Sequence, residues 1–509
     1  QMTGDGGGVG SGVPRDGLPL LHGGDKVQTH HRLVFLIMML MGVGALFPWN
    51  AFITPHSFYM LLFRGSFVEH SFMSLLSSTF TLVGLGSMLL LQKLQHMVPL
   101  KFMVVGCLLT EIVIFASISI STALLLLIPE HALEHTLASR AAIHFALLLS
   151  AVAAAAVAQA FLTGSMLSYA SIFGSSYLKA VSGGMGIAGL AVALANYVAM
   201  LPNALQQLAS STNVSHLESQ TTIHGALWYF CATCVVLLWC FASFLWLESA
   251  DFTAEAKRLN SQLVVSVTQG GQTSNSEFGV DSTRDAVAVE DESSREMPWR
   301  QRRCGGCTDG MCRRHDGGGG GGGVGTIRRT CALLMNVWRW AFSLVLIYSV
   351  TIGVFPAVTG MLASTSADAA WSRLFVPTLF VAFNVGDVVG RNMHARFLPK
   401  KSATVFLLSL LRFAFFPLFI SLQMQEGSSV LLPLIRSDAV SICAMLALAV
   451  SNGWLTTAAF MRAPADVASH ERAAASTLMA GCLNLGLTCG ALLSFLAHWI
   501  VCRCNPFVD

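Results

Sequence analysis

Charge is scarce in this sequence. Lys and Arg number 30 and Asp and Glu 27 among 509 residues, so 11% of the chain is charged, against about 25% in an ordinary soluble protein. With 54% hydrophobic residues and a mean hydropathy of +0.63, the chain has more apolar surface than it could hide from water. That excludes a soluble globular protein and points to a lipid bilayer as partner. An excess of one sign is missing too. The net charge is +3 and the basic residues form no patch, which excludes nucleic acid as a partner. The 13 cysteines lie mostly in apolar runs, where a thiol packs as a small hydrophobe, and they give no disulfide framework. No Ser/His/Asp set, HExxH or P-loop is present, so the chain does not read as an enzyme and calls for no cofactor. No cleavable secretory signal is expected, because the first apolar run is long enough to span and reads as a signal anchor.

What the chain does have is long apolar runs. A span needs roughly 20 such residues, and eleven runs qualify: 33–55, 71–92, 102–128, 142–168, 181–202, 225–247, 334–362, 374–395, 403–423, 431–460 and 475–501. The expected fold class is an all-α polytopic membrane protein with eleven transmembrane helices in a 6+5 arrangement. Its expected parts are a disordered cytosolic tail (1–31), six spans (32–247), a large disordered cytosolic loop (248–333), five spans (334–502) and a short extracytosolic tail (503–509). The loop is rich in Ser, Gly and mixed charge, including the run Gly317 to Gly323, a composition that cannot bury a core. Positive charges set the orientation. With the N-terminus inside, the inner segments hold Lys93, Lys101, Lys179, Lys257, Arg328, Lys400 and others, and the outer ones only Arg64, Arg140, Arg373, Arg436 and Arg503. The glycosylation sequon at Asn213 then falls outside. The N-terminus is therefore expected in the cytosol and the C-terminus outside it.

Polar groups within spans carry the functional signal. In "FNVGDVVGR", Asp387 and Arg391 stand four residues apart, and Phe380, Asn384, Asp387 and Arg391 repeat at helical spacing, one continuous stripe. A charge at mid-bilayer costs ~3 kcal/mol on insertion scales, so such groups face a bundle interior or a wet cavity. Either a binding site or a structural ion pair satisfies that demand. Gly386 and Gly390 flank the pair and admit a close neighbour. In the first span Pro48 frees a carbonyl, and Trp49 and Asn50 follow it. Gln159 and Thr163 sit one turn apart in span four, as hydrogen-bonding groups or as interhelical glue. Glu111 is a lone acid in span three, a proton-coupling site or a buried neutral acid. Arg412 in span nine pairs inside the bundle or snorkels. Gly184, Gly186 and Gly189 have GxGxxG spacing, but no strand precedes them, so they read as close helix packing rather than a dinucleotide fingerprint. Cys304, Cys307, Cys312 and His315 have a count that would suit zinc. Their Gly and Arg flanks offer nothing to pack, so the expectation is no metal, with zinc the alternative.

Several motifs recur in order: "PWN" in span one, "TIGVFPAVT" (351–359), "FNVGDVVGR", "SNGWL" (451–455) and "GLTCGALLSFL" (486–496). Together they resemble the equilibrative nucleoside transporter family over nearly the whole membrane region, though not in the N-terminal tail or the large loop. The resemblance implies a fold like the major facilitator superfamily with one helix fewer, working by alternating access on a nucleoside substrate, facilitative or proton-coupled, as a monomer. It implies that Asp387 and Arg391 engage the ribose, that Leu46 and Trp49, supported by Asn50, surround the base, and that Ile53, Phe355, Pro356, Phe380 and Asn384 match gating positions. Asn384 and Arg412 also match family positions in helices eight and nine. One departure is Thr163 before Gly164-Ser165, where human-type members carry a base-binding Gln. Gln159 lies one turn earlier, so either it substitutes or base recognition differs. Rivals are a nucleobase or organic-cation carrier of the same family, and a receptor or scaffold acting through the loop. The plasma membrane is the expected address, with a vacuolar or lysosomal membrane the alternative suggested by "DGLPLL" (16–21).

Overall fold

A computed structural model of the chain describes residues 24–66, 68, 72–95, 97–128, 130–206, 215–250, 253, 322–424 and 434–502. Asn213, the set Cys304, Cys307, Cys312 and His315, the "DGLPLL" stretch and residues 503–509 lie outside the described residues. The N-terminal half contributes α1 (Gly24–Ile53), α2 (His56–Leu62), α3 (Phe72–Leu94), α4 (Leu100–Leu125), α5 (Glu130–Phe173), α6 (Ser175–Gln206) and α7 (Ser215–Ser249). The C-terminal half contributes α8 (Gly322–Val354), α9 (Ala357–Gly360), α10 (Ala369–Asn392), α11 (Ser402–Leu411), α12 (Phe415–Ile420), α13 (Asp438–Arg462) and α14 (Arg472–Cys502).

Eleven helical segments among the described residues are long and apolar enough to cross a membrane, with α8 continuing into α9 and α11 into α12 as single spans. All eleven apolar runs are helical; the ends differ. α5 has 44 residues and α7 35, because a hydropathy run marks the hydrocarbon layer, whereas a helix continues through the headgroups. α1 and α8 likewise start before their apolar parts, in stretches read as tail and loop. The tenth span, expected from 431, starts at Asp438 because the side chain of Ser437 accepts from the Val440 N–H and caps it. Asp368 caps α10 in the same way, accepting from the backbone of Ala370 and Trp371. Between α5 and α6 the chain turns through Gly174 at φ +121°, a conformation that suits glycine alone.

Packing follows membrane rather than soluble rules. Large apolar side chains such as Leu82, Leu89, Phe102, Trp228, Met335, Leu407 and Leu492 are exposed, as acyl-chain-facing groups must be, while small residues line helix crossings. At the α1/α6 crossing a Cβ on Gly42 would run into the Val181 carbonyl, and one on Gly184 into the Met39 carbonyl. α4 and α7 pack within the first half and α11 within the second. The halves meet through α6 against α10 and α13, and through α14 against α5 and α3. That seam is where the polar residues gather.

Candidate functional site

The α10 stripe forms as its spacing predicts. Arg391 Nε donates to Asp387 Oδ2 at 2.6 Å, and the two side chains are buried. The glycines beside the pair admit a helix. A Cβ on Gly390 would meet the Val450 carbonyl, and one on Gly453 the Asp387 carbonyl, so α13 crosses α10 at backbone contact. This crossing delivers Asn452, whose Nδ2 donates to Asp387 Oδ1 at 2.7 Å. The remaining guanidinium nitrogens are also engaged. Nη2 donates to the Tyr348 hydroxyl of α8 at 3.0 Å, and Nη1 to Ser182 of α6, at 3.2 Å to Oγ and 3.4 Å to the carbonyl. Hydrogen bonds to a charged group contribute about 1.5–3 kcal/mol each, which offsets the cost of holding these charges at depth.

A second tier lies behind Asn452. Its Oδ1 accepts from Thr351 Oγ1 at 2.8 Å, and Thr351 Oγ1 in turn accepts from Arg412 Nη2 at 2.7 Å. Arg412 also donates to the Leu448 carbonyl at 2.9 Å and to the Ser451 hydroxyl. Arg412 therefore pairs inside the bundle, with hydroxyls and a carbonyl. Tyr348, Thr351, Asn452 and Ser182 were not singled out from the sequence. Thr351 and Asn452 do lie inside two of the quoted motifs, and Tyr348, Thr351 and Phe355 repeat at three and four residues, a helical face that could have drawn attention.

The other expected residues divide between the seam and its surroundings. Leu46, Trp49, Asn50, Ile53, Phe355, Phe380 and Asn384 are partly exposed and Pro356 is exposed. Trp49 stacks on Phe80 of α3 with ring centroids 4.1 Å apart. Asn50 Nδ2 donates to the Leu46 carbonyl at 3.1 Å. Phe355 stacks on Phe383 at 4.1 Å and meets Phe380 edge-on at 4.8 Å. Asn384 Nδ2 donates to the Phe380 carbonyl at 2.9 Å, and its Oδ1 occupies the space a Cβ on Gly189 would take. Thr163 is buried, and Gln159 Oε1 is buried with no hydrogen-bond partner among the described residues. Glu111 is fully buried and neither of its oxygens has such a partner. Among the described residues no hydrogen bond ties Gln159 or Glu111 to the Asp387 network.

Among the described residues the side-chain hydrogen bonds across the seam fall at one end of the bundle. Ser168 donates to the Ala473 carbonyl at 2.8 Å and pairs with Thr477 at 2.5 Å, and Ser182 pairs with Thr457 at 3.0 Å. These residues lie near the last turns of α5 and α13 and the first turns of α6 and α14, the end where α10 finishes with Arg391 and Asn392. At the opposite end α2 packs chiefly on α7 and α5, and α9 on α8, α14, α10 and α12, each within its own half. The bundle is closed at the first end. The partly exposed aromatics sit toward the second.

The family profile described as nucleoside transporter matches residues 149–499, more than half of the chain. Human equilibrative nucleoside transporter 2 is 29% identical over 93% of this chain and 98% of its own length. Human equilibrative nucleoside transporter 1 is 25% identical with the same coverage of 93% and 98%. Among solved structures, the major facilitator superfamily proton:xylose symporter bound to 6-bromo-6-deoxy-D-glucose aligns with a TM-score of 0.50 at 10% identity, covering 93% of this chain and 87% of that one. At that identity the likeness is one of fold, and the fold is that of the major facilitator superfamily. With its eleven membrane-crossing helices and a profile match running from α5 to α14, the chain is a multi-pass membrane protein that belongs to the nucleoside transporter family.

Proposed function

We propose that this protein is a facilitative nucleoside carrier working by alternating access, with Asp387 and Arg391 as its ribose-binding pair. One observation carries the reading: the pair is buried at the closed end of the seam, and Arg391 reaches across to Ser182 of the opposite half. An ionised carboxylate accepts from sugar hydroxyls and a guanidinium donates to them. A ribose that bonds the guanidinium competes with Ser182 for Arg391 Nη1, so its arrival loosens the tie between the halves. Leu46 and Trp49, with Asn50, frame the base. The unpartnered Oε1 of Gln159 supplies an acceptor for a base N–H, with Thr163 one turn away in the place of the family Gln. Ile53, Phe355, Pro356, Phe380 and Asn384 gate the path.

With the N-terminus in the cytosol, the closed end is the cytosolic one and the site opens outward. The plasma membrane is the favoured address over an internal one. Glu111 favours a carrier without proton coupling. Among the described residues α4 packs chiefly on α5 and α7 of the first half, so rocking of the halves does not pass this carboxyl from one side to the other.

In proteoliposomes the purified protein should take up labelled uridine and adenosine saturably without a pH gradient. Unlabelled nucleosides should compete more strongly than adenine or a quaternary amine, and Glu111→Gln should match the wild-type rate. Preferential competition by adenine or the amine would replace the nucleoside by that substrate. Gradient-driven accumulation that Glu111→Gln abolishes would assign Glu111 to proton coupling.

A further inference from the structure

Arg412 presents a problem of charge that ribose binding leaves unsolved. It is buried and lies over the Phe415 ring, 5.8 Å from its centroid; among the described residues its Nε has no hydrogen-bond partner and its terminal nitrogens donate to hydroxyls and a carbonyl, with no carboxylate. The acid of the seam, Asp387, is two side chains away. Resting on the nucleoside reading, we propose that Arg412, Thr351 and Asn452 form a one-directional hydrogen-bond relay that sets the orientation of the Asp387 carboxylate, which makes Thr351 and Arg412 positioning residues for recognition of substrate hydroxyls.

The direction of the relay follows from what each group can do. A guanidinium only donates and an ionised carboxylate only accepts. Asn452 must therefore turn its Nδ2 toward Asp387 Oδ1, 2.7 Å away, which leaves its Oδ1 facing Thr351. Thr351 Oγ1 accepts a hydrogen bond from Arg412 Nη2 at 2.7 Å and has one proton of its own to donate. Two carbonyl oxygens lie within reach of that proton, Ile347 O and Asn452 Oδ1, both at 2.8 Å. If the proton went to Ile347, the hydroxyl oxygen and Asn452 Oδ1 would face each other as two acceptors. With the proton on the Asn452 side every contact is a donor meeting an acceptor. Arg412 at one end and Asp387 at the other thus select a single arrangement, and Thr351 and Asn452 are buried, so water does not scramble it. Bonds in such a chain also polarise one another. The carboxylate has Oδ1 held by Asn452 and Oδ2 by Arg391, so its plane is fixed and its remaining lone pairs point in set directions.

The test compares Thr351→Val, which swaps the hydroxyl for a methyl at nearly equal volume, with Thr351→Ser, which keeps the hydroxyl. Uptake is normalised to protein at the membrane, with uridine and 2′,3′-dideoxyuridine as substrates. Thr351→Val should lower kcat/KM for uridine about tenfold, the loss of one hydrogen bond to a charged network, and should affect the dideoxy substrate far less. Thr351→Ser should keep the wild-type ratio between the two. Equal losses for both substrates, or identical behaviour of the valine and serine variants, would overturn the relay. Thr351→Ala takes the place of the valine variant if that one does not reach the membrane, since it lacks the hydroxyl and cannot clash. If the wild-type protein carries no uridine, the nucleoside reading fails. If it does and Thr351→Val keeps its ratio, only the relay fails.

Discussion

Removing both charges of the buried pair together, as Asp387→Asn with Arg391→Met, is expected to leave a protein that inserts and reaches the membrane yet takes up no nucleoside, a loss of at least a hundredfold. Taking away one partner of a buried ion pair strands the other and typically costs 3–5 kcal/mol, so either single variant risks a folding defect that says nothing about transport. Replacing both by uncharged groups of similar shape is often neutral for stability. Here Asn at 387 still accepts from Asn452 and can donate in turn, Met fills the aliphatic part of the Arg391 site, and Tyr348 and Ser182 lose only a charged partner. A pair present merely to let two charges insert would leave transport intact when both are gone. A ribose-binding pair would not. Labelled uridine and adenosine uptake against surface biotinylation decides it. Normal uptake by a well-expressed double variant would sink the assignment of these residues to the substrate.

Much of this arrangement was legible in the sequence for identifiable reasons. Spans are set by the thickness of the hydrocarbon layer, so composition alone located all eleven. The 4-3-4 spacing from Phe380 to Arg391 made one face of a helix certain, and i, i+4 partners meet without help from the rest of the fold. What could not be read is who meets that face. Asn452 arrives because Gly390 and Gly453 let two backbones touch, at a crossing that brings together residues 65 apart in the chain. Ser182 arrives from the other half of the chain. For Arg412 the sequence leaves pairing inside the bundle and snorkelling both open, because its hydroxyl partners depend on the rotation of α8 and α13. The start of α13 was missed because residues 431–437 are apolar enough to mimic a span, and only the Ser437 cap marks the true boundary.

The glycines of α6 yield the sharpest contrast between packing and mechanism. Gly184 and Gly186 are two residues apart and face different halves. A Cβ on Gly184 would collide with the Met39 carbonyl and lie 3.0 Å from Gly42 Cα, within the fixed α1/α6 crossing. A Cβ on Gly186 would lie 2.9 Å from Arg391 Cδ and 3.3 Å from Val388 Cγ2, across the seam that alternating access must open. Gly184→Leu therefore has nowhere to move, since backbone meets backbone, and should fail to reach the membrane. Gly186→Leu should fold, because the seam is built to part, and should hold it apart. Overpacking of this kind costs about 1–3 kcal/mol, and each 1.4 kcal/mol is about a tenfold shift in an equilibrium. The closed state should then become rare and uptake fall at least tenfold with normal amounts at the surface. Ser182 is buried in the closed seam, so a cysteine placed there reports on the state directly. It should react slowly with a thiol reagent in the wild-type background and much faster beside Gly186→Leu. Equal failure of both glycine variants to reach the surface would show that α6 is packing alone, and normal transport by Gly186→Leu would mean that the seam does not close during the cycle.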